Sequence, residues 1–266
     1  MKIKSLKKLK PKEAIVFDLD GTVAPTKAPM DAEMAALITR LLIVKKVVII
    51  GGGKYGIFKT QFLRQLKAPK LLLKNLFLFP ATATSFYTYK AGWKNIYALH
   101  LTKEEKQKIK KAFQEVFKKI AYRHPQKTYG KVIEDRGTQI TFSALGQDVV
   151  AVLGAKRGVP LKEKWLRENR AVKMNIARRL GKLLPDLEVH AAGFTSIDIT
   201  KKGIDKAYGL EQVKKYLGVG IKNMLFVGDA IFPGGNDYAV VKTGVDYVPV
   251  SGPAQTKTII RTLLKQ

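Results

Sequence analysis

Four aspartates that follow two short apolar segments are the residues of this chain best suited to chemistry. Asp18 and Asp20 come at the end of the first segment, just before a Gly-Thr pair. Asp229 follows the second segment, and Asp237 closes the sequence Pro-Gly-Gly-Asn-Asp soon after it. Neighbouring carboxylates repel each other unless a cation lies between them, and oxygen ligands of this kind suit Mg²⁺. The pattern therefore predicts a magnesium site, whereas the simpler interpretation is a pair of turns with solvated acids.

Short apolar runs near both ends of the chain explain how these aspartates can meet. Runs bounded by turn residues are typical of buried strands in a parallel sheet. We expect such strands at residues 14–17, 47–50, 76–79, 224–227 and 248–250. Helical patterns separate them, and the carboxyl ends of parallel strands share one edge, where open α/β sheets bind ligands. The sequence thus predicts a Rossmann-like, doubly wound α/β core.

A loop of three glycines, Gly51, Gly52 and Gly53, lies between the second predicted strand and a helix expected at 57–66. A glycine loop that opens a helix presents unpaired N–H groups and suits a phosphate group. Because glycine-rich loops are common, this pattern alone is a weak indicator of phosphate binding.

The sequence Asp-Leu-Asp-Gly-Thr at residues 18–22 resembles the first motif of the haloacid dehalogenase superfamily of phosphohydrolases. The stretch 228–237 resembles its fourth motif. The resemblance implies that Asp18 attacks phosphorus and that Asp20 is the general acid and base. It also implies that Asp18, the backbone carbonyl of Asp20 and Asp229 bind Mg²⁺, while Asp237 holds waters of the ion.

Two further positions fit that resemblance unequally. Lys206 follows Gly203 in a Gly-x-x-Lys pattern, where the superfamily carries its third-motif lysine. The resemblance implies that its ammonium neutralises the charge of Asp18 and of the phosphate. The second motif of the superfamily supplies a Ser or Thr hydroxyl, but the three glycines carry none. One hydrogen bond to the phosphoryl group is therefore expected to be missing.

The segment 83–200 differs in character from the flanking stretches 1–82 and 201–266, which we assign to the catalytic core. Two long basic helical patterns alternate there with short strand patterns, apart from a loop expected at 154–160. This mixture predicts an α+β domain inserted into the core.

The inserted segment resembles the cap of the class IIB, phosphomannomutase-like branch of the superfamily. In that resemblance Arg136 reaches a substrate phosphate, and Ser196 and Asp198 bind the sugar. Gln147 stands where the mutases carry a second phosphate-binding arginine. A mutase must hold a sugar bisphosphate by either phosphate, so this difference favours hydrolysis. The resemblance also raises a homodimer through the cap as a possible assembly.

Composition limits the remaining choices. Hydrophobic residues make up 46% of the 266 residues, which indicates a globular chain with one large or two modest domains. Cysteine is absent, which excludes disulfides and thiolate metal sites. The basic stretch 2–12 precedes an apolar run too short for a signal peptide, and no run is long enough to span a membrane. We therefore expect a cytoplasmic protein without a membrane partner.

The chain is strongly basic, with 49 Lys and Arg against 21 Asp and Glu and a formal net charge of +28. Such an excess attracts polyanions, so non-specific nucleic-acid binding is one consequence to expect. No recognised nucleic-acid module accompanies the charge, and most of it is expected on solvated helix faces.

Together these patterns predict a Mg²⁺-dependent phosphohydrolase. Its expected substrate is a sugar phosphate or a similar small phosphomonoester, hydrolysed through an aspartyl-phosphate intermediate. Two alternatives stay open at this point: a phosphomannomutase, and a basic nucleic-acid-binding scaffold with weakened catalysis. The absent second-motif hydroxyl is the reason for keeping the last.

Overall fold

The computed structural model describes residues 11–265, so the basic stretch at 2–10 lies outside the described residues. The chain divides into two compact units. Of the described residues, the first unit contains 11–98 and 205–265, and the second is Leu99–Ile204. No helix of the described part is long and apolar enough to cross a membrane.

Regular elements alternate along the chain. The strands are β1 (Ala14–Asp18), β2 (Lys46–Ile50), β3 (Leu76–Phe79), β4 (Ser85–Tyr89), β5 (Trp93–Ala98), β6 (Ile133–Asp135), β7 (Ile140–Ser143), β8 (Leu187–Ala192), β9 (Ser196–Lys201), β10 (Met224–Gly228) and β11 (Asp246–Pro249). The helices are α1 (Ala32–Val44), α2 (Tyr55–Phe58), α3 (Lys103–Lys119), α4 (Val149–Leu153), α5 (Ala155–Leu183), α6 (Lys206–Leu217) and α7 (Pro253–Leu263). A π-helical turn, Lys59–Leu63, extends α2, and 3-10 turns lie at Leu72–Asn75, Ile221–Asn223 and Tyr238–Thr243.

The first unit is built on a seven-stranded sheet in the order β11-β10-β1-β2-β3-β4-β5. The five strands from β11 to β3 are parallel, and β4 and β5 join antiparallel to them. Alternate residues of β1 point to opposite faces: Phe17 packs in the cluster with α1 and α7, and Val16 in the cluster with α6. Both faces are apolar because helices cover both, which confirms the predicted doubly wound α/β core.

The hairpin β4–β5 corrects the predicted start of the insert at residue 83. Tyr87 and Thr88 pair with β3, so residues 83–98 belong to the sheet of the first unit. The residues of β4 and β5 were assigned to the insert because they mix polar and aromatic side chains, unlike the apolar strands before them. Such a mixture is expected for antiparallel strands near a sheet edge.

The second unit has a four-stranded antiparallel sheet in the order β6-β7-β9-β8, with α3 and α5 packed in its core. The loop expected at 154–160 is wrong, since α5 begins at Ala155 and includes Pro160. Further along the same helix, Trp165 is buried in the apolar cluster of this unit. Packing of an amphipathic face outweighs the local cost of proline here.

Candidate active site

The ends of β1 and β10 bring the predicted acidic residues of the first unit together. Asp18 is the last residue of β1, and Asp229 follows β10, its parallel neighbour in the sheet. Carboxylate oxygens of Asp18, Asp229 and Asp237 all lie within 4.8 Å of one another. Such a cluster of oxygens at the carboxyl edge of a parallel sheet is a candidate site for a hard divalent cation.

Lys206 places a positive charge inside this cluster. It is the first residue of α6, whose N-cap Asp205 accepts a hydrogen bond from the backbone N–H of Tyr208. Its ammonium donates to Asp18 Oδ1 at 2.5 Å and also to Asp237 Oδ1. The lysine and both of these aspartates are buried, so one ammonium faces two carboxyl groups away from water.

Two glycines allow the carboxylates to approach the backbone closely. A β-carbon at Gly21, where φ is +83°, would collide with the carboxylate of Asp229. One at Gly228 would collide with the carboxylate of Asp237, whose Oδ2 accepts from the N–H of Ala230 at 3.0 Å. Glycine at both positions lets these carboxylates lie where they do, and the positive φ of Gly21 favours glycine there independently.

The electrostatics of the cluster favour an added cation. Burial, followed by the charges of Asp237 and Asp229, raises the pKa of Asp18 well above its usual range, although Lys206 opposes the shift. Asp229 is exposed, but partial desolvation of its carboxylate and the charge of Asp237 raise its pKa to about 6. Burial alone would lower the pKa of Lys206, but the two carboxylates it contacts raise it instead. The site thus holds more negative charge than its one lysine neutralises.

The side chain of Asp20 lies outside this cluster. The resemblance gave Asp20 only its backbone carbonyl as a metal ligand, so its carboxylate was not expected there. Its Oδ1 accepts from the backbone N–H of Lys27 at 2.7 Å, and the ammonium of Lys27 lies 3.6 Å from Oδ2. The carboxylate is half-buried rather than enclosed. Such a carboxylate can exchange protons with solvent and with a bound group, as a general acid and base must.

The glycine loop, Gly51–Gly53, follows β2 at the same edge of the sheet. It leads into α2, which is a single turn that continues as the π-helical turn rather than as the α-helix expected at 57–66. Beside it lies a left-handed turn, Pro80–Ala83, that no sequence signal indicated. The N–H of Ala81 donates to Gly53 O and that of Thr82 to Gly51 O, each at 2.9 Å.

Arg136, predicted to bind a phosphate, lies in the second unit at the turn between β6 and β7. Its Nε donates to Glu134 Oε2 at 2.7 Å, and its terminal nitrogen donates to Gln147 Oε1 at 2.9 Å. The residue that replaces the expected second arginine therefore accepts a hydrogen bond from the first. A bound phosphate would have to compete with Glu134 for this guanidinium.

Ser196 and Asp198, predicted to bind a sugar, both lie on β9. Asp198 faces away from the apolar cluster that contains Ile197 and Ile199, as the alternation of side chains predicted. It is nevertheless buried, and its Oδ1 accepts from the hydroxyl of Thr141 at 2.7 Å. Both residues lie on the face of the four-stranded sheet opposite to its apolar cluster.

Comparisons with known proteins agree with this architecture. A family model described as haloacid dehalogenase-like hydrolase matches residues 15–243. A phosphomannomutase of Encephalitozoon cuniculi is 28% identical, over 96% of this chain and 94% of that protein.

Two solved structures share the fold. An N-terminally truncated IMP-nucleotidase of Plasmodium falciparum has a TM-score of 0.70 at 17% identity, over 98% of this chain and 72% of that one. A trehalose-6-phosphate phosphatase of Aspergillus fumigatus has a TM-score of 0.57 at 16% identity, over 99% and 96%. At these identities the likeness is evidence for the fold alone.

Proposed function

The chain belongs to the haloacid dehalogenase-like hydrolase family, and we propose that it is a Mg²⁺-dependent phosphohydrolase that uses Asp18 as its nucleophile. The observation that carries the proposal is the cluster of Asp18, Asp229 and Asp237 around Lys206. A buried ion pair offers little net stability, so a site of this kind is better explained by chemistry than by folding.

The proposed reaction has two balanced steps. A carboxylate oxygen of Asp18 attacks phosphorus while the bond to the leaving oxygen breaks, and Asp20 gives that oxygen its proton. The product is an aspartyl phosphate on Asp18. Asp20, now a carboxylate, takes a proton from water as the water oxygen attacks phosphorus. This step releases inorganic phosphate and restores both side chains.

The donor set of the first unit fits Mg²⁺, since it consists of carboxylate oxygens close to one another. We propose that Asp18, the backbone carbonyl of Asp20 and Asp229 would hold the ion, with Asp237 nearby. When bound, it would offset the repulsion between a carboxylate nucleophile and an anionic phosphate. Lys206 keeps Asp18 oriented and lowers the charge of the cluster, whether or not the ion is present.

For the substrate we propose a sugar phosphate or a similar small phosphomonoester, recognised through Arg136, Ser196 and Asp198. These residues offer a guanidinium, a hydroxyl and a carboxylate, which suit a phosphate or the hydroxyls of a sugar. This chemistry supports the proposal, and so does position, since all three residues belong to one antiparallel sheet: Ser196 and Asp198 lie on β9 and Arg136 at the β6–β7 turn.

Phosphomannomutase activity is a second candidate, favoured by the Encephalitozoon cuniculi relative. Against it stands Gln147, a neutral residue hydrogen-bonded to Arg136 in place of a second cation. A mutase would require activation by a sugar bisphosphate and would conserve the total of sugar phosphate. A hydrolase would release inorganic phosphate instead.

The test is phosphate release from a panel of hexose and other sugar monophosphates, with Mg²⁺ and with a chelator. Wild type is compared with Asp18→Asn and with Asp186→Asn, a control at an exposed ion pair of the second unit. We expect Mg²⁺-dependent release that Asp18→Asn abolishes and Asp186→Asn retains. Sustained turnover by Asp18→Asn would overturn the proposal, and bisphosphate-dependent isomerisation without release would replace it by the mutase.

A further inference from the structure

The left-handed turn Pro80–Ala83 is the most strained segment near the proposed site. Ala81, Thr82 and Ala83 have φ of 49°, 56° and 65°, in a region that residues with a β-carbon rarely adopt. None of the three is Gly or Asn, the residues that occupy this region most readily. Strain of this kind persists only where the surroundings impose it, and it concentrates at functional sites.

The surroundings that impose the turn are parts of the proposed site. Two of its N–H groups, those of Ala81 and Thr82, donate to the carbonyls of Gly53 and Gly51 in the glycine loop. On the other side it packs against α6, the helix that begins with Lys206. A β-carbon at Gly209 of that helix would lie 3.3 Å from the β-carbon of Ala83. The turn is therefore held between the loop expected to cradle a phosphate and the helix that carries the lysine.

Thr82 is the residue of this turn that offers a side chain to a ligand. Pro80, Ala81 and Ala83 are buried, whereas Thr82 is half-buried. Within residues 11–265 the structure gives the hydroxyl of Thr82 no hydrogen-bond partner, although its backbone N–H is bonded. A half-buried hydroxyl without a protein partner, in a strained turn beside the glycine loop, is available to donate to a ligand.

The register of the sheet sets how far Thr82 lies from the nucleophile. Asp18 of β1 pairs with Ile50 of β2, and Ile50 pairs with Phe79 of β3. The N–H of Thr82 contacts the carbonyl of Gly51, the residue directly after Ile50. Neighbouring strands are about 4.8 Å apart and β2 lies between β1 and the turn, so the backbone of Thr82 lies roughly two strand spacings from Asp18. A phosphoryl group and two side chains can bridge such a gap.

We propose that Thr82 donates its hydroxyl to a phosphoryl oxygen of the substrate, and so supplies the hydrogen bond that the glycine loop lacks. This inference rests on the proposed phosphohydrolase function, since it names a further binding residue of the same site. The hydroxyl comes from the end of β3 instead of the end of β2. The left-handed turn holds it there, and the two clamped carbonyls fix the turn.

The test compares Thr82→Val, which removes the hydroxyl at nearly constant shape, with Thr82→Ser, which keeps it. Thr258→Val, on the exposed face of α7, is the matched control for the same chemical change. The readouts are kcat/KM for phosphate release and the affinity for inorganic phosphate with Mg²⁺, measured by calorimetry. Thermal unfolding of each variant shows whether it is folded as stably as wild type.

We expect Thr82→Val to lower kcat/KM by about 10- to 100-fold, the loss typical of one hydrogen bond to a charged group. Its phosphate affinity should fall as well, while Thr82→Ser and Thr258→Val stay within about threefold of wild type. If wild type turns over and Thr82→Val matches it, this inference is wrong and the proposed function stands. If no substrate is turned over, the proposed function fails, and equal phosphate affinity of wild type and Thr82→Val overturns the inference as well.

Discussion

Each unit of the molecule buries two lysines, and one lysine from each unit, Lys206 and Lys173, can be compared because their surroundings differ. Lys206 of the first unit lies between the carboxylates of Asp18 and Asp237, which raise its pKa. Lys173 of the second unit donates to two backbone carbonyls, of Ala192 and Gly193. Burial lowers its pKa to about 8, and the charge of Asp198 only partly opposes the shift.

The difference shows that burial alone does not determine what a lysine does. The carboxylates of Asp18 and Asp237 raise the pKa of Lys206 and so keep it protonated at physiological pH, where it can neutralise a nucleophile and its substrate. Carbonyl dipoles do less for Lys173, which tethers the turn between β8 and β9. Lys206 of the first unit therefore neutralises carboxylates, whereas Lys173 of the second unit stabilises a turn through hydrogen bonds to its carbonyls.

Substitution of Lys206 by Met should have the largest effect on stability. It leaves the buried carboxylates of Asp18 and Asp237 without their cation, and removal of one partner of such a pair costs about 3–5 kcal/mol. Urea unfolding at pH 7.5 without Mg²⁺ measures the free energy of unfolding. Lys108→Met, which breaks an exposed pair with Asp186, should cost less than about 0.5 kcal/mol. Equal losses in the two variants would contradict the comparison.

Addition of Mg²⁺ should stabilise the first unit through its carboxylates. At a free concentration one hundred times its dissociation constant, a ligand of the native state adds about 2.7 kcal/mol. Asp229→Asn should remove this gain, and without Mg²⁺ it should unfold no more easily than wild type, because it relieves repulsion by Asp237. The measurement is the urea midpoint with Mg²⁺ and with chelator. A full gain in Asp229→Asn would exclude Asp229 as a ligand.

The lowered pKa of Lys173 should make the free energy of unfolding depend on pH. Its native pKa of about 8 lies below the unfolded value near 10.4, so the unfolded chain binds more protons between these values and stability rises with pH there. The stability of wild type relative to Lys173→Met should increase by about 1–2 kcal/mol from pH 8 to pH 9.5. Urea unfolding across this range measures it. A difference that stays constant with pH would refute the depressed pKa.

The smallest effects are expected at Arg136, whose charge Glu134 already offsets. Arg136→Gln should raise KM for the best substrate by about tenfold or less and leave kcat near wild type. Glu134→Gln should lower KM, since it frees the guanidinium for a phosphate. Steady-state kinetics of both variants test whether KM changes in opposite directions. A fall in KM for Arg136→Gln would show that the arginine does not contact the substrate.

The sequence predicted the parallel strands and the acidic residues at their ends because apolar runs followed by Asp and Gly are local signals. Lys206 was predicted from the resemblance to the third motif of the superfamily, and the structure brings it to Asp18 through the packing of α6 on the sheet. The doubly wound core and the family are confirmed by the sheet order and the family model. The roles of the individual residues stay predictions.

What the sequence could not indicate depends on contacts between distant segments. The left-handed turn at Thr82 contains no residue typical of that conformation, and its carbonyl partners lie about thirty positions earlier in the chain. The hydrogen bonds of Arg136 to Glu134 and Gln147 are likewise invisible in a pattern read as a free phosphate ligand. Local signals predict elements and their ends, whereas partners of charged side chains follow from tertiary structure.

The most direct test of the central claim is to locate the phosphoryl group during turnover. Wild type is mixed with the best substrate and Mg²⁺, quenched in acid and reduced with borohydride, which converts an aspartyl phosphate to homoserine. Peptide mass spectrometry then identifies the modified residue. We predict homoserine at position 18, absent when Mg²⁺ is chelated. Turnover with the label at Asp20, Asp229 or Asp237, or with no labelled residue, would contradict phosphoryl transfer to Asp18.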